Sequence, residues 1–240
     1  MRHTTTTIAL LLLLLPLLLT AQTRQWQWAE RGGGDGSNQN NEQEEGVDIA
    51  LDNNNDVYVC GQTFPLATFS DTTLDFNYTD LNIFLAKYHC EGGLAWVKGF
   101  GSSDKDEANG VVTDEENNVY ITGEIDKSQF GTAILAGDTL NDVGGFFVSK
   151  FDSAGNYIWN KISFNSGTRG NNIDIGPDGN LYVFGRAPSI RTKLFSTYEV
   201  GGGLDGLPFL LKMSRDGNIH WVKNIGDTSN YKSFFQINDL

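Results

Sequence analysis

Three carboxylates crowd the string S-S-D-K-D-E-A at 102–108, namely Asp104, Asp106 and Glu107. Clustered oxygen donors are what a hard cation such as calcium takes, although it wants six to eight of them. The string lacks the D-x-D-x-D-G spacing of a calcium loop, and N-S-G-T-R-G at 165–170, its counterpart further on, carries no carboxylate. A solvated acidic loop is therefore the expected reading, with calcium held by Asp104, Asp106 and Glu107 as the competing one. Beyond His3, the two histidines are His89, beside a glycine turn, and His220, next to Trp221. A Ser-His-Asp triad, a histidine metal site or a Cys-His pair needs such groups brought together, and the elements derived below keep them apart. The run G-G-G-L-D-G at 201–206 is followed by neither Lys-Ser/Thr nor a helical pattern, so it reads as a loop and not as a phosphate cradle. No catalytic residue and no cofactor site is expected.

Two further groups of side chains could react. Cys60 and Cys90 are the only cysteines, too few for a disulfide framework. Placed on neighbouring strands, Cys60 is expected opposite Ile83 or Phe84. Cys90 then lies roughly 20 Å further along at about 3.3 Å per residue, out of disulfide reach. Both are expected as free, partly buried thiols. Asp71-Thr72-Thr73, Asp138-Thr139-Leu140 and Asp152-Ser153-Ala154 fit a short Asp-Ser/Thr-apolar pattern for O-glycosylation in exported bacterial proteins.

The elements that must position these groups come in three copies. N-D-V-Y-V-C-G leads to I-F-L-A-K-Y and a strand ending in Trp96, N-N-V-Y-I-T-G to F-F-V-S-K-F and Trp159, and G-N-L-Y-V-F-G to P-F-L-L-K-M and Trp221. Tyr58, Tyr120 and Tyr182 are spaced by 62 and 62 residues, and Phe84, Phe147 and Phe209, like the tryptophans, by 63 and 62. A fixed period of this size marks units that bury their apolar faces on one another. Each unit reads as four strands. Strand a (V-D-I-A-L-D, G-V-V-T-D, N-I-D-I) runs through an Asn/Asp/Gly turn into strand b, which ends at Gly61, Gly123 or Gly185. About twenty loop-like residues follow. Strand c is apolar on both alternation phases, as in a sheet covered on both faces, and a turn at Gly92, Gly155 or Gly217 leads to the tryptophan strand d. No window has a helical period. Trp96, Trp159 and Trp221 recur at one place per unit, which argues for packing over sugar stacking. Lys87, Lys150 and Lys212 recur likewise and are expected to pair at the sheet edge.

Four-stranded units repeated about an axis make a β-propeller. The unit resembles the SBBP (seven-bladed β-propeller) repeat of bacterial secreted proteins, carried by Asp114, Asn117-Asn118, Val119 to Gly123, Phe147 to Phe151, Asp152 to Asn156 and Trp159-Asn160-Lys161. The third copy departs from the pattern at Gly176 and Pro208. The expected fold is thus all-β, a β-propeller of four-stranded antiparallel blades spanning 46–109, 110–171 and 172–233. Trp28 sits in the setting of Trp96, so 22–45 is expected to supply a strand completing the last blade, and 234–240 to open a further one. About three and a half units fall short of the 4 to 8 blades of closed propellers, which predicts downstream blades of the same chain as partners.

Arg2 and His3, the apolar run Ile8 to Leu19 and Leu19-Thr20-Ala21 read as a cleavable export signal over 1–21. The run is shorter than the roughly 20 residues that span a bilayer, and no other segment is long and apolar enough. Removal of 1–21 takes Arg2 from the 17 basic residues and none of the 30 acidic ones, moving the formal charge from −13 to −14. That acidity disfavours nucleic acid and anionic lipid as partners. In a four-stranded meander the short a–b and c–d turns share one end, and the long b–c and d–a connections share the other, which is the expected working face. The expected role is a non-catalytic secreted or cell-surface scaffold for recognition or adhesion, its protein or glycan ligand unspecified. A propeller-based polysaccharide hydrolase or lyase, or a periplasmic sensor module, is the alternative.

Overall fold

The computed structural model describes residues 28–34, 44–75, 80–126, 132–135, 138–141, 144–163, 167–188, 190–195, 197–201 and 206–225. The export signal at 1–21 and the further strand at 234–240 lie outside them, as do residues 202–205 of the glycine-rich run. Among the described residues there are strands and turns and no helix. In chain order the strands are β1 (Gly32–Gly33), β2 (Glu45–Leu51), β3 (Val57–Thr63), β4 (Ala67–Phe69), β5 (Thr72–Leu74), β6 (Asn82–Tyr88) and β7 (Leu94–Phe100). The second unit holds β8 (Glu107–Thr113), β9 (Val119–Ile125), β10 (Thr132–Leu135), β11 (Asp138–Asn141), β12 (Gly145–Phe151) and β13 (Tyr157–Ile162). The third holds β14 (Arg169–Ile175), β15 (Leu181–Ala187), β16 (Thr192–Leu194), β17 (Tyr198–Val200), β18 (Leu207–Met213) and β19 (Ile219–Asn224).

Three antiparallel sheets result, ordered β2-β3-β6-β7, β8-β9-β12-β13 and β14-β15-β18-β19. They are the blades of a β-propeller. In each, strand a is bulged at one place, Val47, Asn109 or Asn171 being passed over in the register. The bulge swings a strand-a carbonyl onto strand b. A Cβ on Gly61 would lie 1.9 Å from the Glu45 carbonyl oxygen and one on Gly123 1.8 Å from that of Glu107, so the residue opposite the bulge carries no side chain.

Blade faces make the core. Tyr58, Cys60, Ile83 and Leu85 of the first blade pack on Val111, Ile121, Phe147 and Phe151 of the second. Tyr120, Phe146 and Val148 on the other side of the second blade pack on Ile173, Val183, Phe209 and Leu211 of the third. Strand c is buried on both phases in the first and second blades, whereas in the third Pro208, Leu210 and Lys212 of the second phase are only half-buried. The a strands converge: the Val111 amide donates to Asp48 Oδ2 at 2.8 Å and Asn109 Nδ2 to the Gly170 carbonyl at 3.0 Å.

Three expectations differ from the structure. Strands a begin earlier, at Glu107 and Arg169, so the boundaries expected at 109/110 and 171/172 fall inside β8 and β14. Strand b runs two residues past its glycine, and Cys60 lies opposite Leu85, one residue beyond Phe84 and two beyond Ile83. The b–c connections are not loops throughout. Each carries a hairpin, β4–β5, β10–β11 or β16–β17, and these strands are too short to leave a periodic signature.

Candidate functional site

The two ends of the blades are built differently, and the difference decides which of them has surface to spare. At the short-turn end Asp52 and Asp114 close the a–b turns, Oδ1 of each accepting two turn amides, from Asn54 and Asp56 or from Glu116 and Asn118. Their Oδ2 atoms accept the hydroxyls of Tyr58 at 3.4 Å and Tyr120 at 2.8 Å. Gly176 replaces this aspartate in the third blade, and Asp178, two residues later, takes over the Tyr182 hydroxyl at 3.1 Å and the Lys212 ammonium. Lys87, Lys150 and Lys212 each stand over the tyrosine ring of their own blade at 5.0, 5.0 and 5.3 Å. Lys87 also pairs with Asp52 and Asp56, both at 3.1 Å. Burial alone would lower its ammonium, but hydrogen bonds to Tyr58, Asp52 and Asp56 outweigh that and hold it above the usual range. Lys87 and Lys212 thus pair with acids of their own blade's turn, while Lys150 donates to the Arg215 carbonyl of the next blade at 3.4 Å and Lys87 also to that of Ser153 at 3.4 Å.

The c–d turns join one blade to the next. Nε1 of Trp28 donates to the Cys90 carbonyl at 3.0 Å, of Trp96 to Ser153 at 3.1 Å, and of Trp159 to Arg215 at 3.2 Å. The turn glycines Gly92, Gly155 and Gly217 have φ of 96°, 80° and 83°, and a Cβ on Gly92 or Gly155 would come within 3.0 Å of the visiting indole. Left-handed backbone and the approach of the ring both demand glycine there. Arg215 adds ion pairs to Glu115 at 2.7 Å and Glu116 at 2.9 Å of the preceding blade. Trp96, Trp159 and Trp221 are half-buried, each beside the tyrosine of its own blade, Tyr58, Tyr120 and Tyr182, and Trp96 and Trp159 also reach the next blade. The recurrent tyrosines and lysines of this end are engaged in internal contacts, while Asn53, Asn54, Glu115 and Glu116 of the a–b turns stay exposed.

The long-loop end is where the three blades diverge. Asp106 is fully buried, accepting the Ser102 amide, the Ser102 hydroxyl at 3.1 Å and the Asp126 amide at 2.8 Å. Burial pushes its carboxyl well above the usual range. Glu107 is committed to Lys105 at 3.1 Å and Arg169 of the third blade at 3.5 Å. Asp104 donates its amide to the Ser102 hydroxyl at 3.1 Å. The acidic string is therefore a folded loop with one inward carboxylate, not an evenly solvated one. Among the described residues no group of three or more His, Cys, Asp or Glu side chains is placed to hold a metal ion.

A feature that sequence reasoning missed sits beside it. Glu107 and Glu124 are cross-strand partners, and Glu124 Oε1 accepts the Gly167 amide at 3.2 Å. Burial raises Glu124 to about 7, Arg169 opposing and Asp126 and Glu107 reinforcing the shift. Its counterparts after the strand-b glycine are Gln62 and Arg186. A position that changes from Gln to Glu to Arg inside an otherwise repeated string was the available signal.

The remaining candidates stay apart. His89 faces Asp56 at 3.6 Å in the first blade, and His220 faces Asn180 at 3.0 Å in the third. Cys60 is buried and Cys90 half-exposed, both free. Asp71-Thr72-Thr73 lies at the tip and second strand of the first inserted hairpin and Thr139 is exposed in β11, whereas Asp152-Ser153-Ala154 is the turn that receives Trp96.

Residues 95–131, from strand d of the first blade through strand b of the second, match the SBBP family model, described as a beta-propeller repeat. The uncharacterized WD repeat-containing protein L264 of Acanthamoeba polyphaga mimivirus is 22% identical over 221 residues, covering 78% of this chain and 16% of that protein. The chain thus spans about a sixth of the length of the curated relative it matches. With three four-stranded sheets stacked face to face and the family match lying across the first junction, the chain is a β-propeller protein that carries the SBBP repeat.

Proposed function

We propose that this propeller is a non-catalytic scaffold, exported to the cell surface or beyond, that recognises a protein or glycan ligand through its long-loop end. The observation that carries the reading is the contrast between the two ends. The short-turn end repeats its tyrosines, lysines and indoles from blade to blade, with the turn aspartate at 52 and 114 and its role moved to Asp178 in the third, and the tyrosines and lysines engage the scaffold in every blade. The other end presents three inserted hairpins of unlike sequence, A-T-F-S-D-T-T-L, T-A-I-L-A-G-D-T-L-N and T-K-L-F-S-T-Y-E-V, on the same framework. Variable segments held by a rigid sheet are where binding specificity resides. Charge narrows the ligand, since a chain of formal charge −13 repels polyphosphate and anionic lipid.

The test is a screen of the whole protein against glycans and extracellular proteins, followed by exchange of the 67–74 hairpin for the 192–200 hairpin. Binding that is lost on exchange and kept when Asn53 or Glu116 at the opposite end is replaced by Ser supports the proposal. Turnover of any glycan, or binding that follows the Asn53 and Glu116 replacements instead, overturns it.

A further inference from the structure

A buried oxygen beside the acidic string lacks a donor. Asn82, at the start of β6, is fully buried, and its Nδ2 donates to the Asp80 carbonyl at 2.6 Å, which leaves Oδ1 without a hydrogen-bond partner. Asp106 is fully buried as well. A Cβ on Gly101 would collide with Asn82 Oδ1 and stand 2.8 Å from Asp106 Oδ2, so both oxygens press on the same side of Gly101. Flipping the Asn82 amide only moves the conflict, because Oδ1 would then face the Asp80 carbonyl.

An ionised Asp106 leaves the conflict in place. Its Oδ1 accepts the Ser102 hydroxyl and the Asp126 amide, and its Oδ2 accepts the Ser102 amide. A carboxylate only accepts, so it would set acceptor against acceptor in a buried place, whereas the neutral acid carries the donor that Asn82 lacks. At the next junction Gly145 and Thr168 stand in the places of Asn82 and Asp106. There the Thr168 hydroxyl takes the Phe146 amide and pairs with the Ser163 hydroxyl, both at 3.0 Å, and no charge is involved.

We propose that Asp106 is protonated in the folded protein and donates to Asn82 Oδ1, and that this proton latches the 101–106 loop and, through it, the β10–β11 hairpin. The loop carries the hairpin because Gly101 exchanges both backbone hydrogen bonds with Ile134, at 2.9 and 2.8 Å. Loss of the proton brings two acceptors into opposition and opens the loop. The titratable groups on the elements around Asp106 are Asp104, Lys105 and Glu107 on its own segment, Glu124 and Asp126 at the end of β9, and Asp80 before β6, while β10 brings none. Lys105 and Arg169 are both paired with Glu107. Burial favours the neutral acid and the Asp126 charge reinforces it, against the hydrogen bonds from Asp126 and Ser102. The device stands whatever the long-loop end binds.

The test is carboxyl-carbon magnetic resonance of the protein labelled at aspartate, with hydrogen exchange of the Gly101 and Ile134 amides followed over the same pH range. Asp106 keeps the shift of a neutral acid while exposed aspartates ionise near about pH 4. Its folded value lies above its unfolded one, so protection of the two amides is complete below the unfolded value. Above that it falls roughly tenfold per pH unit until Asp106 itself ionises. Asp106→Asn, which removes the charge, abolishes that slope, and Asn82→Ala lowers the midpoint of Asp106. Ionisation of Asp106 together with the exposed aspartates overturns the proposal, and this wild-type titration decides whether or not the variants fold. The same slope in Asp106→Asn, or an unchanged midpoint in Asn82→Ala, also overturns it. So does movement of the Asp106 resonance on adding calcium at constant pH, which would assign the two oxygens to a cation.

Discussion

Replacing Gly155 by Ala separates the two demands made on the c–d turn. The left-handed conformation, φ 80°, costs a side chain about 1–2 kcal/mol wherever it occurs. Gly93 supplies that cost alone, since its φ is 84° and a Cβ there meets nothing within 4 Å. At Gly155 the added methyl lies 3.0 Å from Cδ2 and Cε2 of Trp96 and 3.1 Å from Cε of Lys98, so the indole must withdraw. Its hydrogen bond to the Ser153 carbonyl, worth about 1 kcal/mol, is lost, and the overpacked contact adds about 1–2 kcal/mol. Gly155→Ala should therefore cost about 3–5 kcal/mol and Gly93→Ala about 1–2 kcal/mol. Urea unfolding followed by far-ultraviolet circular dichroism gives both values, provided the slopes match. In a Trp96→Ala background the gap should close to below about 0.5 kcal/mol, because the methyl then has room. Equal costs for the two alanines, or a gap that survives removal of Trp96, would refute the coupling of one blade's indole to the next blade's turn.

Three other outcomes are expected. Lys87→Met leaves Asp52 buried without its cation and should cost about 3–5 kcal/mol in the same assay, whereas Lys212→Met, whose partner Asp178 is exposed, costs little. Glu124 has a folded-state value of about 7 against an ordinary 4.5, so folding favours its protonated form. Its stabilising contribution is complete below about pH 4.5 and is lost as the pH rises through about 7. Asp106, raised in the same direction by burial, adds a slope of the same sign, so Glu124→Gln should reduce, without abolishing, the fall in melting temperature between about pH 5 and 8. An unchanged pH dependence would remove Glu124 from the account. Finally, iodoacetamide followed by peptide mass spectrometry should modify Cys90 in the native protein and Cys60 only after unfolding, because burial both shields the Cys60 thiol and raises it.

The scaffold was legible because the forces that build it recur every 62 or 63 residues. Turn glycines, strand-c apolar runs and the indoles answer to backbone geometry and face-to-face burial, which leave the same residue type at the same place in every unit. The Trp28 segment was legible for the same reason. The inserted hairpins were not, since strands of three or four residues carry no usable alternation. Two of them also turn through residues that a sequence does not flag, Ser70 with φ 49° and Phe195 with φ 52°. Composition could mark 102–108 as acidic but not say which carboxylate turns inward. Asp106 does so because two amides and a hydroxyl converge on it, a tertiary arrangement. The move of the turn aspartate from 176 to 178 was visible as a departure, but its consequence, a relocated tyrosine and lysine partner, depends on the path of the turn. Glu124 pairs with Glu107 through a register fixed by the bulge, and periodicity alone does not locate a bulge.

The most direct measurement of blade-to-blade stacking is a nuclear Overhauser spectrum of protein labelled selectively at tryptophan and glycine. Cross-peaks from the ring protons of Trp28 to Gly92 Hα, of Trp96 to Gly155 Hα and of Trp159 to Gly217 Hα are predicted, three contacts that link residues 58 to 64 apart in sequence. Absence of all three, with the indoles exchanging their Nε1 protons at the rate of free tryptophan, would contradict it.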